Sequence, residues 1–209
     1  MLTTMGITQN QLKAIQSRLN KSEQEKDPDH ALGSEKSAPI IAPNAVLLGV
    51  DPSLRGTGFG IIQLHDNTIS PVDFGVIKCS KSWSRTKCLG NIQEKIRSLI
   101  DNVRPDICIF EGLFYTQNLK TAIIMGEARG ASLAVAGSFN IPCYEIAPRK
   151  IKQAIVGFGG AQKLAVAKMV QRILQLQSEP QSDAADALAA AIAFAQEYRG
   201  TVIDPPKPL

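Results

Sequence analysis

Apolar residues along this chain recur in two rhythms. Ala45–Val50, Gly58–Leu64 and Ser70–Ile77 are short apolar runs parted by polar turns, and they predict three consecutive strands in a meander. From Arg85 to Val103 the period lengthens. Leu89, Ile92, Ile96, Leu99 and Val103 fall at helical spacing, and Pro105 follows as a stop. Ile107–Phe110 predicts a fourth strand, Leu119–Ser138 a long helix and Ile141–Ile146 a fifth strand. Ile151–Ile155 and Lys163–Leu174 read as helical stretches on either side of a glycine-rich loop, Gly157-Phe158-Gly159-Gly160. A final alanine-rich helix runs to about Tyr198, with Ser182 as its cap and Gly200 as its stop. The segment Asp204-Pro205-Pro206-Lys207-Pro208 cannot continue it.

A meander feeding alternating helices and strands predicts an α/β fold, a mixed five-stranded sheet flanked by helices. In such a sheet the first and fourth strands can lie parallel and adjacent. Residues just past their carboxyl ends then emerge side by side, where open α/β sheets place their sites. The long helix carries Gly126, Gly130 and Ala134 on one stripe, which allows close approach of another element. That element is either the sheet of the same chain, the simpler choice, or a second subunit. Residues 1–44 read as a flexible extension with a short amphipathic helix from Gln9 to Leu19, residues 45–199 as the folded domain, and residues 200–209 as a proline-rich tail.

Composition narrows the class. With 209 residues and 44% hydrophobic content, the chain is long enough for one domain with a core. No apolar run reaches membrane-spanning length and no signal pattern opens the chain, so a soluble, intracellular protein is expected. The acids of the leader argue against an organellar address. Cys79, Cys88, Cys108 and Cys143 lack zinc-site spacing and read as reduced structural thiols. His30 and His65 are isolated and do not look like ligands. The net charge of +4 comes entirely from residues 45–209, since residues 1–44 hold five basic and five acidic side chains. This suits a polyanionic partner.

Four acids carry the chemistry. Asp51 ends the apolar run Leu47-Leu48-Gly49-Val50, Glu111 ends Ile107-Cys108-Ile109-Phe110, and Asp183 and Asp186 lie three apart at the start of the last helix. A charge directly after a buried strand is costly unless a cation meets it. Each acid alone has a bland explanation: a turn residue, a loop acid paired with a lysine, a first-turn helix acid. All four together point to hard divalent cations such as Mg²⁺, two of which can activate water and stabilise a leaving oxygen in phosphodiester hydrolysis. Asp51 is the expected bridging ligand, Glu111 the ligand of one ion, and Asp183 with Asp186 the remaining ligands.

Two further segments suit nucleic acid. The loop after Glu111 holds Phe114, Tyr115, Gln117, Asn118 and Lys120, where an exposed aromatic can stack on an unpaired base or simply anchor the loop. Arg149-Lys150-Ile151-Lys152, the glycine loop, Lys163 and Lys168 supply cations and bare backbone amides for phosphate, or a merely solvated basic face.

These residues resemble a known family. Gly49-Val50-Asp51-Pro52-Ser53-Leu54-Arg55-Gly56-Thr57-Gly58-Phe59-Gly60 is similar to the opening motif of the bacterial RuvC-type Holliday-junction resolvases. Phe110-Glu111-Gly112-Leu113-Phe114, Gly126-Glu127-Ala128-Arg129-Gly130-Ala131, Lys152 to Lys163 and Asp183-Ala184-Ala185-Asp186-Ala187-Leu188-Ala189 resemble their later motifs, in order, over residues 45–197. The resemblance implies a ribonuclease-H-like fold, a cytoplasmic bacterial homodimer and Mg²⁺-dependent symmetric nicking of four-way DNA junctions, with Mn²⁺ as a possible substitute. It implies Asp51, Glu111, Asp183 and Asp186 as metal-binding catalytic acids. It also implies Lys152 and Lys163 as DNA-contacting cations, Phe114 as the aromatic that probes the junction, and a branch-migration motor as partner. Tyr115, Lys120 and Lys150 join the expected DNA contacts from their place beside these motifs. Ser53 stands where glycine is usual, harmless if its φ is not positive. Competing readings are a sugar-kinase or actin-like ATPase, for which a second half is missing, a catalytically silent junction-binding module, and a related nuclease acting on other branched or RNA-containing nucleic acid.

Overall fold

The computed structural model describes residues 41–66, 68–112, 118–197 and 207–209. Among them, β1 (Val46–Asp51), β2 (Gly56–His65) and β3 (Thr68–Lys78) form the meander, followed by α1 (Arg85–Val103), β4 (Ile107–Glu111) and α2 (Leu119–Ser138). Then come β5 (Cys143–Ile146), α3 (Pro148–Val156), α4 (Lys163–Ile173), α5 (Ser182–Glu197) and β6 (Lys207–Pro208). The sheet order is β3-β2-β1-β4-β5-β6. β1–β4 and β4–β5 pair parallel, and the remaining pairs are antiparallel. The five expected strands are all present. The short β6 extends the sheet at its edge through main-chain bonds, with the Leu209 N–H donating to the Cys143 carbonyl at 2.9 Å. A two-residue edge strand needs no apolar pattern, and proline is tolerated there.

Leu47, Leu48 and Val50 are buried because both faces of β1 are covered. One face packs on α5 with α3 and α4 behind it, the other on α1 and α2, and a separate apolar core fills each side. In α1, Ser84 accepts from the Lys87 amide as N-cap, and Arg104 in left-handed conformation closes the helix before Pro105. The buried line of α1 is Cys88, Ile92, Ile96 and Ile100, with the expected Leu89, Leu99 and Val103 flanking it half-buried.

Helix α5 is buried without interruption from Ala184 to Ala195, since it is sandwiched between the sheet and two helices. Its small side chains let it lie almost on the strand backbones. A Cβ at Gly49 would come 2.0 Å from the Ala187 carbonyl oxygen, and one at Gly58 would come 1.9 Å from that of Asp183, so glycine is obligatory at both. Ser182 is the first residue of α5, and the Ala185 amide bonds the Gln181 carbonyl, so Ser182 is not the cap that was expected.

The small-residue stripe of α2 does not pack on the sheet or on any other described element. A Cβ at Gly126 or Gly130 would meet nothing within 4 Å among the described residues, and Ala134 is exposed. Packing of this stripe on the sheet of the same chain, the simpler choice, is therefore not what the described residues show. The sheet contacts α2 through its other face, where Ala128, Ser132, Val135 and Ala136 are buried.

Candidate active site

The parallel register of β1 and β4 pairs Val50 with Phe110, which sets Asp51 and Glu111 next to each other at the strand ends. Strand alternation turns both toward α5: Leu47 and Ile107 share that core, whereas Leu48 and Cys108 belong to the other. From α5, Asp186 comes down on the same spot. Ligand oxygens of Asp51, Glu111 and Asp186 all lie within 4.8 Å of one another. Asp186 is only 9% exposed.

Electrostatics follow from the crowding. Burial raises the Asp51 carboxyl to about 7, helped by the charges of Asp186 and Asp183 and opposed by Lys163. Burial likewise raises Glu111 to about 8, with Asp51 and Asp186 adding to it and Lys163 and Lys152 opposing. Lys163 Nζ donates to Asp186 Oδ2 at 2.6 Å. Burial alone lowers the pKa of Lys163, but that bond and the charges of Asp186, Asp51 and Glu111 outweigh it, so the net shift is upward. Lys163, expected as a DNA-contacting cation, therefore sits among the acids, with its side chain still largely exposed.

Asp183 is set apart from the other three. Its Oδ2 stands over β2, 2.9 Å from where a Cβ of Gly56 would be, and it acts on Asp51 through charge without joining the tight cluster. Sequence spacing placed Asp183 and Asp186 on one helix face. The tight packing of α5 on Gly58 instead aims the first toward β2 and the second toward β1 and β4.

Lys152 is half-buried and acts on Glu111, whereas Lys120 is exposed. Lys150 is engaged at least partly elsewhere, with Nζ 3.8 Å from Glu197 Oε1. Phe114 and Tyr115 lie outside the described residues. His65 is exposed at the end of β2. All four cysteines are free thiols. Ser53 is not among the residues with positive φ. Its amide and carbonyl instead meet the buried Thr57 hydroxyl, at 3.4 and 2.6 Å, which pins the turn after Asp51.

Sequence reasoning passed over Arg129 as a working residue. It is 7% exposed, donates to the Glu111 carbonyl at 2.9 Å and to Glu145 Oε2 at 2.5 Å, and lies over the Phe110 ring. A lone cation within the small, apolar middle of a helix was the available signal. Arg55 was also missed. It ties the same turn to the loop before α1 through the carbonyls of Ser80 and Trp83.

The donor set is all oxygen and carries three negative charges when ionised. It fits hard divalent cations that keep water ligands better than zinc or copper. No helix among the described residues is long and apolar enough to cross a membrane.

Comparison with known proteins agrees with this geometry. The family described as Crossover junction endodeoxyribonuclease RuvC matches residues 47–194. The protein of that name from Petrotoga mobilis is 42% identical over 147 residues, 70% of this chain and 90% of the relative. That from Thermosipho melanesiensis is 40% identical over 154 residues, 73% of this chain and 98% of the relative. The structure of T. thermophilus RuvC in complex with Holliday junction substrate superposes with a TM-score of 0.72 at 32% identity, covering 79% of this chain and 99% of the other. The yeast mitochondrial Holliday junction resolvase Ydc2 shares the fold, with a TM-score of 0.56 at 12% identity over 77% of this chain and 81% of its own. Site geometry, matched length and fold agree, and the chain belongs to the RuvC family of crossover junction endodeoxyribonucleases.

Proposed function

We propose that this protein is a structure-selective DNA endonuclease that resolves four-way junctions in recombination and repair, hydrolysing phosphodiesters at two symmetric positions. The observation that carries this reading is the convergence of Asp51, Glu111 and Asp186 at the carboxyl ends of two parallel strands, in a chain of this family. Asp51, Glu111 and Asp186 would hold divalent cations, with Asp183 completing the set from β2's side. Mg²⁺ is the expected ion and Mn²⁺ its substitute. When bound, such ions supply a deprotonated water and neutralise charge on the phosphate.

The protein's own groups do the rest. Asp51 and Glu111 ionise as the positive charge near them grows. Lys163 can then turn from Asp186 to a phosphate oxygen, and Lys152 offers a second cation beside Glu111. Phe114, Tyr115, Lys120 and Lys150 are proposed DNA contacts on their motifs alone. A homodimer is favoured by the outward face of α2, where Gly126 and Gly130 are uncovered and Leu119 and Ile123 are 73% and 50% exposed. Two-fold symmetry suits a junction, which offers paired equivalent strands. A branch-migration motor as partner and a bacterial cytoplasmic location rest on the family alone.

The test is nicking of a synthetic immobile four-way junction beside a linear duplex of the same sequence, with and without Mg²⁺. Paired symmetric nicks in the junction only, dependent on metal, are expected. Junction binding without cleavage would indicate a silent binding module, and cleavage of RNA-containing or other branched substrates in preference would indicate a different nuclease.

A further inference from the structure

Phe158 is a large aromatic side chain left 67% exposed, in the loop between α3 and α4. It is nonetheless seated. Its ring lies on Gly160, where a Cβ would come within 2.7 Å of Cζ and 2.8 Å of Cε1. The neighbouring Gly159 is covered by the Arg149 side chain, whose Cγ would be 2.6 Å from a Cβ there. Two bare backbone positions therefore carry a ring and the stem of a guanidinium. The loop beneath is closed by the Ala161 amide on the Phe158 carbonyl at 3.1 Å, and Gly157, at φ +82°, ends α3 just before it.

The sequence on both sides of the loop is basic. Between Glu145 and Glu179 the chain has no acid and six cations: Arg149, Lys150, Lys152, Lys163, Lys168 and Arg172. The loop runs directly into Lys163, which bonds Asp186 of the acidic cluster. An aromatic ring with its back on the main chain, its front in solvent and the Arg149 side chain on the neighbouring glycine matches the way proteins hold unpaired nucleotides: bases stack on the ring and phosphates meet the charge. A core role is excluded by the exposure, and a mobile surface side chain is a poor match for a ring seated on a glycine.

We propose that Phe158 is a base-stacking platform, a positioning residue that holds a nucleotide unstacked at the crossover, with Arg149 contacting its phosphate. This rests on the junction-nuclease reading and adds a second aromatic contact on the α3–α4 side of the site.

The experiment uses the full chain and an immobile four-way junction carrying 2-aminopurine at each position flanking the crossover, with a linear duplex as control. Wild type is compared with Phe158→Ala, Phe158→Leu and Phe158→Tyr. Phe158→Ala and Phe158→Leu are expected to weaken junction binding about tenfold, the loss of one base–aromatic stack. Both are also expected to abolish a rise in 2-aminopurine fluorescence seen with wild type at one position, and Phe158→Tyr should restore the binding. Binding to the linear duplex should be unchanged in all variants. Leucine behaving like phenylalanine, or a fluorescence rise that survives Phe158→Ala, would overturn the proposal. The two readings fail separately: wild type that neither prefers nor nicks the junction sinks the nuclease reading, whereas wild type that nicks while Phe158→Ala matches it sinks only this one.

Discussion

Lys163 Nζ and Asp186 Oδ2 are 2.6 Å apart, so one ammonium is tied into a cluster of three carboxylates. The lysine side chain is largely exposed while the aspartate is nearly buried, which leaves the lysine free to exchange partners. A divalent cation entering the cluster competes with this ammonium. Lys163→Ala should therefore lower the melting temperature in EDTA at pH 8 and enlarge the rise produced by Mg²⁺. Scanning fluorimetry of both proteins with and without the ion checks this, and an equal rise in the two would show that Lys163 and metal do not share the site.

The pH dependence of the metal-free protein has a definite sign. Asp51 titrates near 7 and Glu111 near 8, above their ordinary values of 3.8 and 4.5. Between those limits the native state holds more protons than the unfolded chain, so stability falls as pH rises. The contribution is fully present below about pH 4 and lost progressively up to about pH 8. Melting temperatures in EDTA should decline across this range through these two groups, and saturating Mg²⁺ should flatten the decline because it favours the ionised forms. A flat profile in EDTA would contradict the crowding described for the cluster.

Activity and stability should move in opposite directions when a carboxylate is removed. Asp51→Asn, Glu111→Gln and Asp186→Asn each delete a cation ligand, and nicking should fall by at least about a hundredfold, more than the loss seen when only a supporting partner is removed. Asp51→Asn and Glu111→Gln also delete a charge that burial and repulsion disfavour, so their melting temperatures in EDTA at pH 8 should rise. Junction binding should persist. A destabilised Asp51→Asn would mean that the carboxylate is held by favourable contacts instead.

Arg129 joins α2 to both β4 and β5. Replacing it with methionine leaves Glu145 without its cation and the Glu111 carbonyl without its donor, an expected loss of about 2 kcal/mol, less than for a fully buried pair because solvent reaches Glu145. Arg129→Lys keeps the charge but not the fork, and should recover only part of the stability. Urea midpoints provide the measurement, and Glu111 should lose precision, so nicking falls in both variants.

The uncovered face of α2 makes a further prediction. Gly130→Ala should stabilise the helix by about 1 kcal/mol at most, because nothing among the described residues meets the added carbon. Gly126→Leu with Gly130→Leu should shift sedimentation toward monomer if this face is the dimer contact; an unchanged sedimentation coefficient would direct the search for that contact elsewhere.

Much of the fold is written in residue periodicity. The bounds of α1 and α2 follow from apolar spacing and their flanking residues, and the pairing of Asp51 with Glu111 follows from strand order. Other features were invisible for physical reasons. Asp183 and Asp186 share a helix face by spacing, but their divergence depends on how closely α5 sits on the sheet, which is a packing property. Lys163 is legible as a cation of its motif, but its bond to Asp186 depends on how the helix that carries it docks against α5. The free face of α2 depends on which elements cover it, and small residues suit a neighbour from either source. β6 is held by backbone groups, and these leave no trace in side-chain pattern.

Glycine at positions 49 and 58 brings α5 into main-chain contact with β1 and β2. The height of Asp186 above Asp51 is thus set by the radii of backbone atoms, which substitution at positions other than these two glycines leaves unaltered. Repacking of the two apolar cores can tune how stable the fold is while the spacing of the carboxylates stays fixed, so the catalytic geometry is insulated from drift in the interior that supports it.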